Sequence, residues 1–208
     1  MGRVISSYMK SLERWSRTLF LLGGVVLVAY AVSLAAIGLM DMSSPRTIFG
    51  GAGFTLAFLG LFGLCSGLTD RSPQLAHAGS IFAVLGALGF TLAFVLGIAE
   101  FVGITSPAWV KVALLLNNVW TILGFLLVGI TSLRTDAYPR SLGVLLFVPA
   151  VLFAANTTRI AFLGLWTPSW APFLLGSLQA MTMLAIGYSL HDQSTPTEPA
   201  ERPIDRTA

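Results

Sequence analysis

Charge is scarce in this chain. Only 10% of its 208 residues are Asp, Glu, Lys or Arg, where a soluble domain carries roughly 25%. The mean hydropathy is +0.82 and 55% of the residues are hydrophobic. That is more apolar surface than one globular core of this length can bury, with too little charge to hold it in water, so the solvent this composition calls for is a bilayer. The other shortages narrow the chemistry. The single cysteine, Cys65, excludes an internal disulfide and a paired-cysteine metal site, and within an apolar run it reads as a small buried residue. The basic residues are spread along the chain, which argues against a nucleic-acid footprint. The two histidines, His77 and His191, fall at predicted helix ends, and neither a cofactor nor a resident metal is expected.

The few charges act as punctuation. Uncharged stretches cover 18–40, 47–69, 72–99, 112–133, 141–158 and 160–191. They predict helices at about 18–40, 47–68, 78–99, 109–133, 141–164 and 172–190, each near the ~20 residues that cross ~30 Å of hydrocarbon. The first run is longer than the roughly 7–15 apolar residues of a cleaved signal, so it reads as a retained span. Proline marks the connections, in Ser44-Pro45, Ser72-Pro73, Ser106-Pro107, Tyr138-Pro139 and Thr167-Pro168; at a helix end its missing N–H costs little. Short connections make successive helices antiparallel. The expected fold is all-α, a polytopic bundle of six transmembrane helices.

Lys/Arg asymmetry sets the expected orientation. With six spans both termini share one side, which holds Arg3, Lys10, Arg14, Arg17, Arg71, Arg134, Arg140, Arg202 and Arg206, against Arg46 and Lys111 on the other. Both termini are therefore expected in the cytoplasm, in a prokaryotic cell membrane. Trp109, Trp166 and Trp170 fall at the expected outer interface, and Tyr8, Trp15, Tyr138 and Tyr188 at the inner one, as an aromatic belt requires. The chain divides into a segment 1–17, a membrane domain 18–190 and a tail 191–208. In the first, Ile5, Tyr8, Met9, Leu12 and Trp15 recur at helical spacing, as in a helix lying on the membrane surface or one extending the first span. The tail is rich in Pro, Thr and Glu and is expected to be disordered.

Small residues form stripes, Gly60, Gly63 and Gly67 in the second helix and Ala83, Gly86 and Gly89 in the third. Such stripes let membrane helices approach closely, within the chain or between copies. Polar residues inside spans are costly and so are pointers to function. Arg159 is the one full charge placed well within a predicted span, about a turn from its outer end, with Asn156 three residues earlier on the same face. Asn117 and Asn118 lie in the outer half of the fourth helix and Glu100 ends the third. These five are the candidate ligand-binding residues. Arg159 is expected to pair with Glu100, braced by the asparagines, either as a structural lock or as a pocket for an anionic or zwitterionic solute or lipid headgroup. Gln179 and Thr182 on the sixth helix read as hydrogen-bonding glue. At the inner side, Cys65, Ser66, Asp70, His77 and His191 admit haem ligation by two histidines or a serine nucleophile on paper only.

Two motifs carry family resemblances. Cys65-Ser66-Gly67 and Asn156-Thr157-Thr158-Arg159-Ile160 resemble the Cys-Ser-Gly and Asn-x-x-Arg-Ile motifs of exosortase and archaeosortase membrane transpeptidases. The resemblance implies Cys65 as nucleophile and Arg159 as its assistant, although here the motifs are spaced much too far apart and fall at opposite faces of the expected topology. Tyr138-Pro139-Arg140-x-Leu142-Gly143 and Gly187-Tyr188-x-Leu190 look like segments of small prokaryotic six-helix membrane proteins of uncharacterised families, which implies a fold and no activity. The expected functions, in order, are a non-enzymatic membrane scaffold or complex subunit, a carrier binding a small solute or lipid headgroup at Arg159, and a membrane enzyme of exosortase-like or haem-binding type. The expected partners are the lipid bilayer and another membrane protein or a second copy of the chain.

Overall fold

The structure is a computed structural model and describes residues 2–40, 46–104, 108–159 and 170–192. Six helices account for nearly all of them: α1 (Gly2–Met40), α2 (Arg46–Leu68), α3 (Pro73–Phe101), α4 (Ala108–Thr135), α5 (Arg140–Thr158) and α6 (Ala171–Asp192). All six contain a stretch long and apolar enough to cross a membrane. α2, α4 and α6 begin and end within two residues of where charge and proline placed them, while α3 begins five residues earlier than expected, at Pro73. α1 runs unbroken from Gly2, so the residues before Thr18 are helical and continuous with the span. Residues 160–164, in the expected fifth helix, Trp166 of the expected aromatic belt, and the tail from 193 onward lie outside the described residues.

Local chemistry explains the helix ends. Pro73 sits at the start of α3, where its missing N–H is no loss. α3 ends in a Schellman turn: the Gly103 N–H donates to the Glu100 carbonyl and the Ile104 N–H to the Ala99 carbonyl, with Gly103 at φ +88°. That left-handed conformation is the one glycine adopts without a side-chain penalty. At the opposite end of the bundle, Arg71 in the α2–α3 turn donates from Nη1 to the Thr135 carbonyl at 2.8 Å, placing a cation on the negative end of α4. Removing it in Arg71→Ala is expected to lower stability by about 0.3–1 kcal/mol, read as a small shift in the unfolding midpoint. The exposed Arg140–Asp136 pair, at 3.9 Å, contributes little.

The helices form a closed ring in chain order, each packed on the next and α6 on α1, with α2 also touching α4. Neighbours are antiparallel. Gly23 faces Gly53 and Gly60 faces Phe20 across α1–α2; Gly97 faces Ile48 and Gly79 faces Cys65 across α2–α3; Gly187 faces Leu21 and Gly24 faces Leu184 across α1–α6. The starts of α1 and α3 and the ends of α2, α4 and α6 therefore share one end of the bundle, which we call the terminal end; the other is the distal end. α2 is the most buried of the six. Its Phe54, Phe58, Leu61, Leu64 and Leu68 form the centre of the core, joined by Phe20, Phe125, Leu142, Leu146 and Met183 from other helices.

The outside of the ring is apolar. Val25, Val28 and Val32 on α1, Ile81, Val84, Leu88 and Val95 on α3, and Val112, Leu115, Leu116 and Val119 on α4 are all exposed. Stripes of this length on several helices have no place in water and suit lipid. Three glycines of the small-residue stripes point inward instead. A Cβ on Gly60 would meet the Phe20 ring, one on Gly86 the Phe58 ring and one on Gly89 the Asn117 carboxamide, so these glycines are occupied by packing within the chain. Trp109, Trp170 and Tyr188 are exposed near helix ends, and Trp15 is exposed inside α1 where its apolar span begins, positions that suit a belt. Tyr138 differs: its hydroxyl turns inward and donates to the Leu64 carbonyl at 3.4 Å.

Candidate binding cavity

A cavity of about 520 Å³ lies in the distal half of the ring, and every helix contributes to its wall. Its volume falls in the range that holds a small ligand. Polar groups enter it from five helices: Tyr30 of α1, Thr47 of α2, Asn117 and Asn118 of α4, Asn156 of α5 and Gln179 of α6. Phe54, Phe90 and Phe153 supply aromatic faces. The Phe54 ring centre lies 4.8 Å from that of Phe90 and 4.9 Å from that of Phe153, a cluster held by both burial and ring–ring geometry. No charged side chain lines the cavity among the described residues.

The carboxamides are held differently. Asn118 Nδ2 donates to Thr157 Oγ1 at 3.1 Å, tying α4 to α5. Asn156 Oδ1 accepts from Arg159 Nε at 3.2 Å and from Nη2 at 3.1 Å, which fixes the carboxamide against a cation and strengthens the bond. Asn117 is 3% exposed. Its carboxamide fits over Gly89, where a Cβ would lie 2.1 Å from Oδ1, and Oδ1 accepts no hydrogen bond from the described residues. A buried carbonyl oxygen left in that state costs about 1–3 kcal/mol. Gln179, 4% exposed, brings a fourth carboxamide from α6 to the same cavity.

Three of the five expected site residues, Asn117, Asn118 and Asn156, therefore meet around one space. Arg159 joins them through Asn156 and is not part of the wall. It follows Thr158 directly, half-buried and in helical conformation, its backbone N–H donating to the Ala155 and Asn156 carbonyls; the residues from 160 onward, which the expected fifth helix included, lie outside the described residues. Glu100 is exposed at the distal end of α3 and off the cavity wall, and α4 stands between α3 and α5 in the ring. Tyr30, Thr47 and the phenylalanines belong to the site but were not among the expected residues.

A second space of about 450 Å³ lies between α2 and α3 toward the terminal end, lined by Phe62, Cys65, Ser66, Thr69 and His77 among others. Its hydroxyls are turned to their own helices. Ser66 donates to the Gly63 carbonyl at 2.6 Å, Thr69 to that of Cys65 at 3.0 Å and Ser80 to that of His77 at 2.7 Å, a common way to quiet such groups in a helix. Asp70 is exposed in the turn and His191 ends α6, so neither joins Ser66 and His77 in this space.

The exosortase-like motifs are also far apart. Cys65 neighbours Gly79 near the terminal end, level with the start of α5, as the Tyr138–Leu64 bond shows. Arg159 lies beyond the far end of that 19-residue helix, roughly 28 Å along its axis. No family model, curated protein or solved structure matches the chain.

Proposed function

We propose that this chain is a multi-pass protein of a prokaryotic cytoplasmic membrane that binds a small uncharged molecule rich in hydrogen-bonding groups, in a cavity open toward the outer leaflet. The excess of Lys/Arg at the terminal end supports a cytoplasmic position for both termini, which turns the distal cavity outward. The observation that carries the binding reading is the wall itself: four carboxamides from three helices around an aromatic cluster, with the buried Asn117 Oδ1 accepting no hydrogen bond from the described residues. Carboxamides both donate and accept, so they match a neutral amide, hydroxyl or carbonyl group, and they give an ionised ligand no counter-charge.

A scaffold role was expected first from the sequence, on the lack of a strong catalytic or ion-relay set and on the small-residue stripes. Gly60, Gly86 and Gly89 of those stripes are filled by Phe20, Phe58 and Asn117 of the same chain, which weakens the second ground. An anionic ligand was expected from Arg159; the guanidinium is held by Asn156 outside the wall, which favours a neutral one.

Three isosteric probes test the charge preference. In lipid nanodiscs at millimolar concentration, benzamide is expected to raise the unfolding midpoint, while benzoate and benzamidinium leave it unchanged. The replacement Gln179→Leu should weaken benzamide binding by about tenfold, the worth of one well-placed hydrogen bond. Benzoate binding as tightly as benzamide, or no response to benzamide, would overturn the reading.

A further inference from the structure

The geometry points to a ligand with an apolar tail, reaching the cavity sideways from the outer leaflet past Leu115 of α4. This inference rests on the neutral-ligand reading above and adds the route and the second half of the molecule. Leu115 carries it. The residue lines the cavity, yet it is 47% exposed and belongs to the stripe of Val112, Leu115, Leu116 and Val119 that faces outward from the ring. One side chain thus borders both the cavity and the lipid, so the wall is thin or open at that point.

Helix periodicity places Leu115 on α4. It lies three residues before Asn118, hence on the same side of the helix, and Asn118 bonds Thr157 of α5, so Leu115 is on the flank of α4 toward α5, one turn distal to that bond. Leu115 is three residues inside the apolar span of α4, which begins at Val112, roughly 4.5 Å along the axis, which places it in the outer part of the hydrocarbon. A ligand whose head sits among Asn117, Asn156 and Gln179 meets the acyl-chain region at Leu115. The chemistry that fits both is a neutral amphiphile: a flat hydrogen-bonding head that stacks on Phe54 and Phe90, and a single alkyl or isoprenoid chain left in the bilayer.

Narrowing the passage at Leu115 tests the route without touching the carboxamides. Leu115→Trp places a larger apolar side chain at an exposed position, and Val28→Trp on the outward face of α1 serves as a control for the added ring. Benzamide and N-octylbenzamide are titrated into nanodiscs carrying each protein. Membrane partitioning of the octyl chain is the same in all three samples, so differences among them report the protein. The expected result is that Leu115→Trp weakens N-octylbenzamide binding about tenfold more than it weakens benzamide binding, the equivalent of two methylene groups no longer buried against the protein, with both affinities unaltered in Val28→Trp. Equal weakening in the two tryptophan variants, or full retention of N-octylbenzamide binding in Leu115→Trp, overturns the lateral route while the neutral head site stands. Failure of benzamide itself in the unaltered protein overturns the site.

Discussion

Gly51→Ala is expected to destabilise the bundle by about 2–3 kcal/mol, at the upper end of what overpacking a close approach costs. A Cβ at this position would fall 2.5 Å from the backbone nitrogen of Phe94, 2.7 Å from its Cα and 2.9 Å from the Phe90 carbonyl. Those atoms belong to a helix backbone and have no rotamer to change, so α2 and α3 must separate. In lipid no hydrophobic force pushes the two helices back together, and the van der Waals packing given up along the seam is not offset by any other gain. The seam also carries the cavity, because Gly51, Phe54 and Phe90 all line it. Gly124→Ala is the matching control: its Cβ would lie 3.5–3.6 Å from Phe82, Leu61 and Phe58, which is ordinary van der Waals separation, and the helix gains about 0.5–1 kcal/mol from losing a glycine. Reversible unfolding in mixed detergent micelles measures both. Similar stabilities for the two variants would show that α2 and α3 do not approach at Gly51 as described.

Asn117→Leu is expected to separate stability from binding. Leucine has nearly the branch shape of asparagine and occupies the notch over Gly89, where only a Cα lies beneath it. It removes a buried oxygen that accepts no hydrogen bond from the described residues, so the folded bundle should gain about 1 kcal/mol. The same change deletes a hydrogen-bonding group from the cavity wall, and benzamide affinity should fall by about tenfold or more. Such an exchange of stability for function is characteristic of a polar group retained for a ligand. A variant that is less stable and still binds benzamide would show that Asn117 serves only the packing of α3 against α4. The two measurements are an unfolding midpoint without ligand and a benzamide titration.

The sequence made the helices legible because charge is so rare in it. With Arg46, Asp70, Arg71, Arg134 and Arg140 at helix ends or in turns, each uncharged stretch but 160–191 read as one rod, and most boundaries followed to within two residues, α3 starting five residues earlier than expected. The asparagines were legible for the complementary reason, since a carboxamide within such a stretch is conspicuous. What joined them was not. Glu100 and Arg159 were placed at one depth, but depth along a span does not say which helices are neighbours, and α4 lies between theirs. Gln179 was visible as a polar residue on α6, yet only the closing of α6 against α1 and α5 brings it to the cavity. The cavity itself is set by the mutual fit of Tyr30, Phe54, Phe90 and Phe153, which a periodic pattern does not encode. Gly89 makes the same point. In the sequence it belongs to a stripe suited to a neighbouring helix, and in the structure it is the seat of the Asn117 carboxamide.

The docking of α6 on α1 has a consequence for synthesis. α1 meets Leu184 and Gly187 only after α6 has been translated, so until then the growing chain holds α1 to α5 in an open arc with one flank of α1 unpacked. The polar wall completed by Gln179 comes into being only when α6 docks, and a chain cut short before α6 would carry its asparagines without the sixth side of their enclosure.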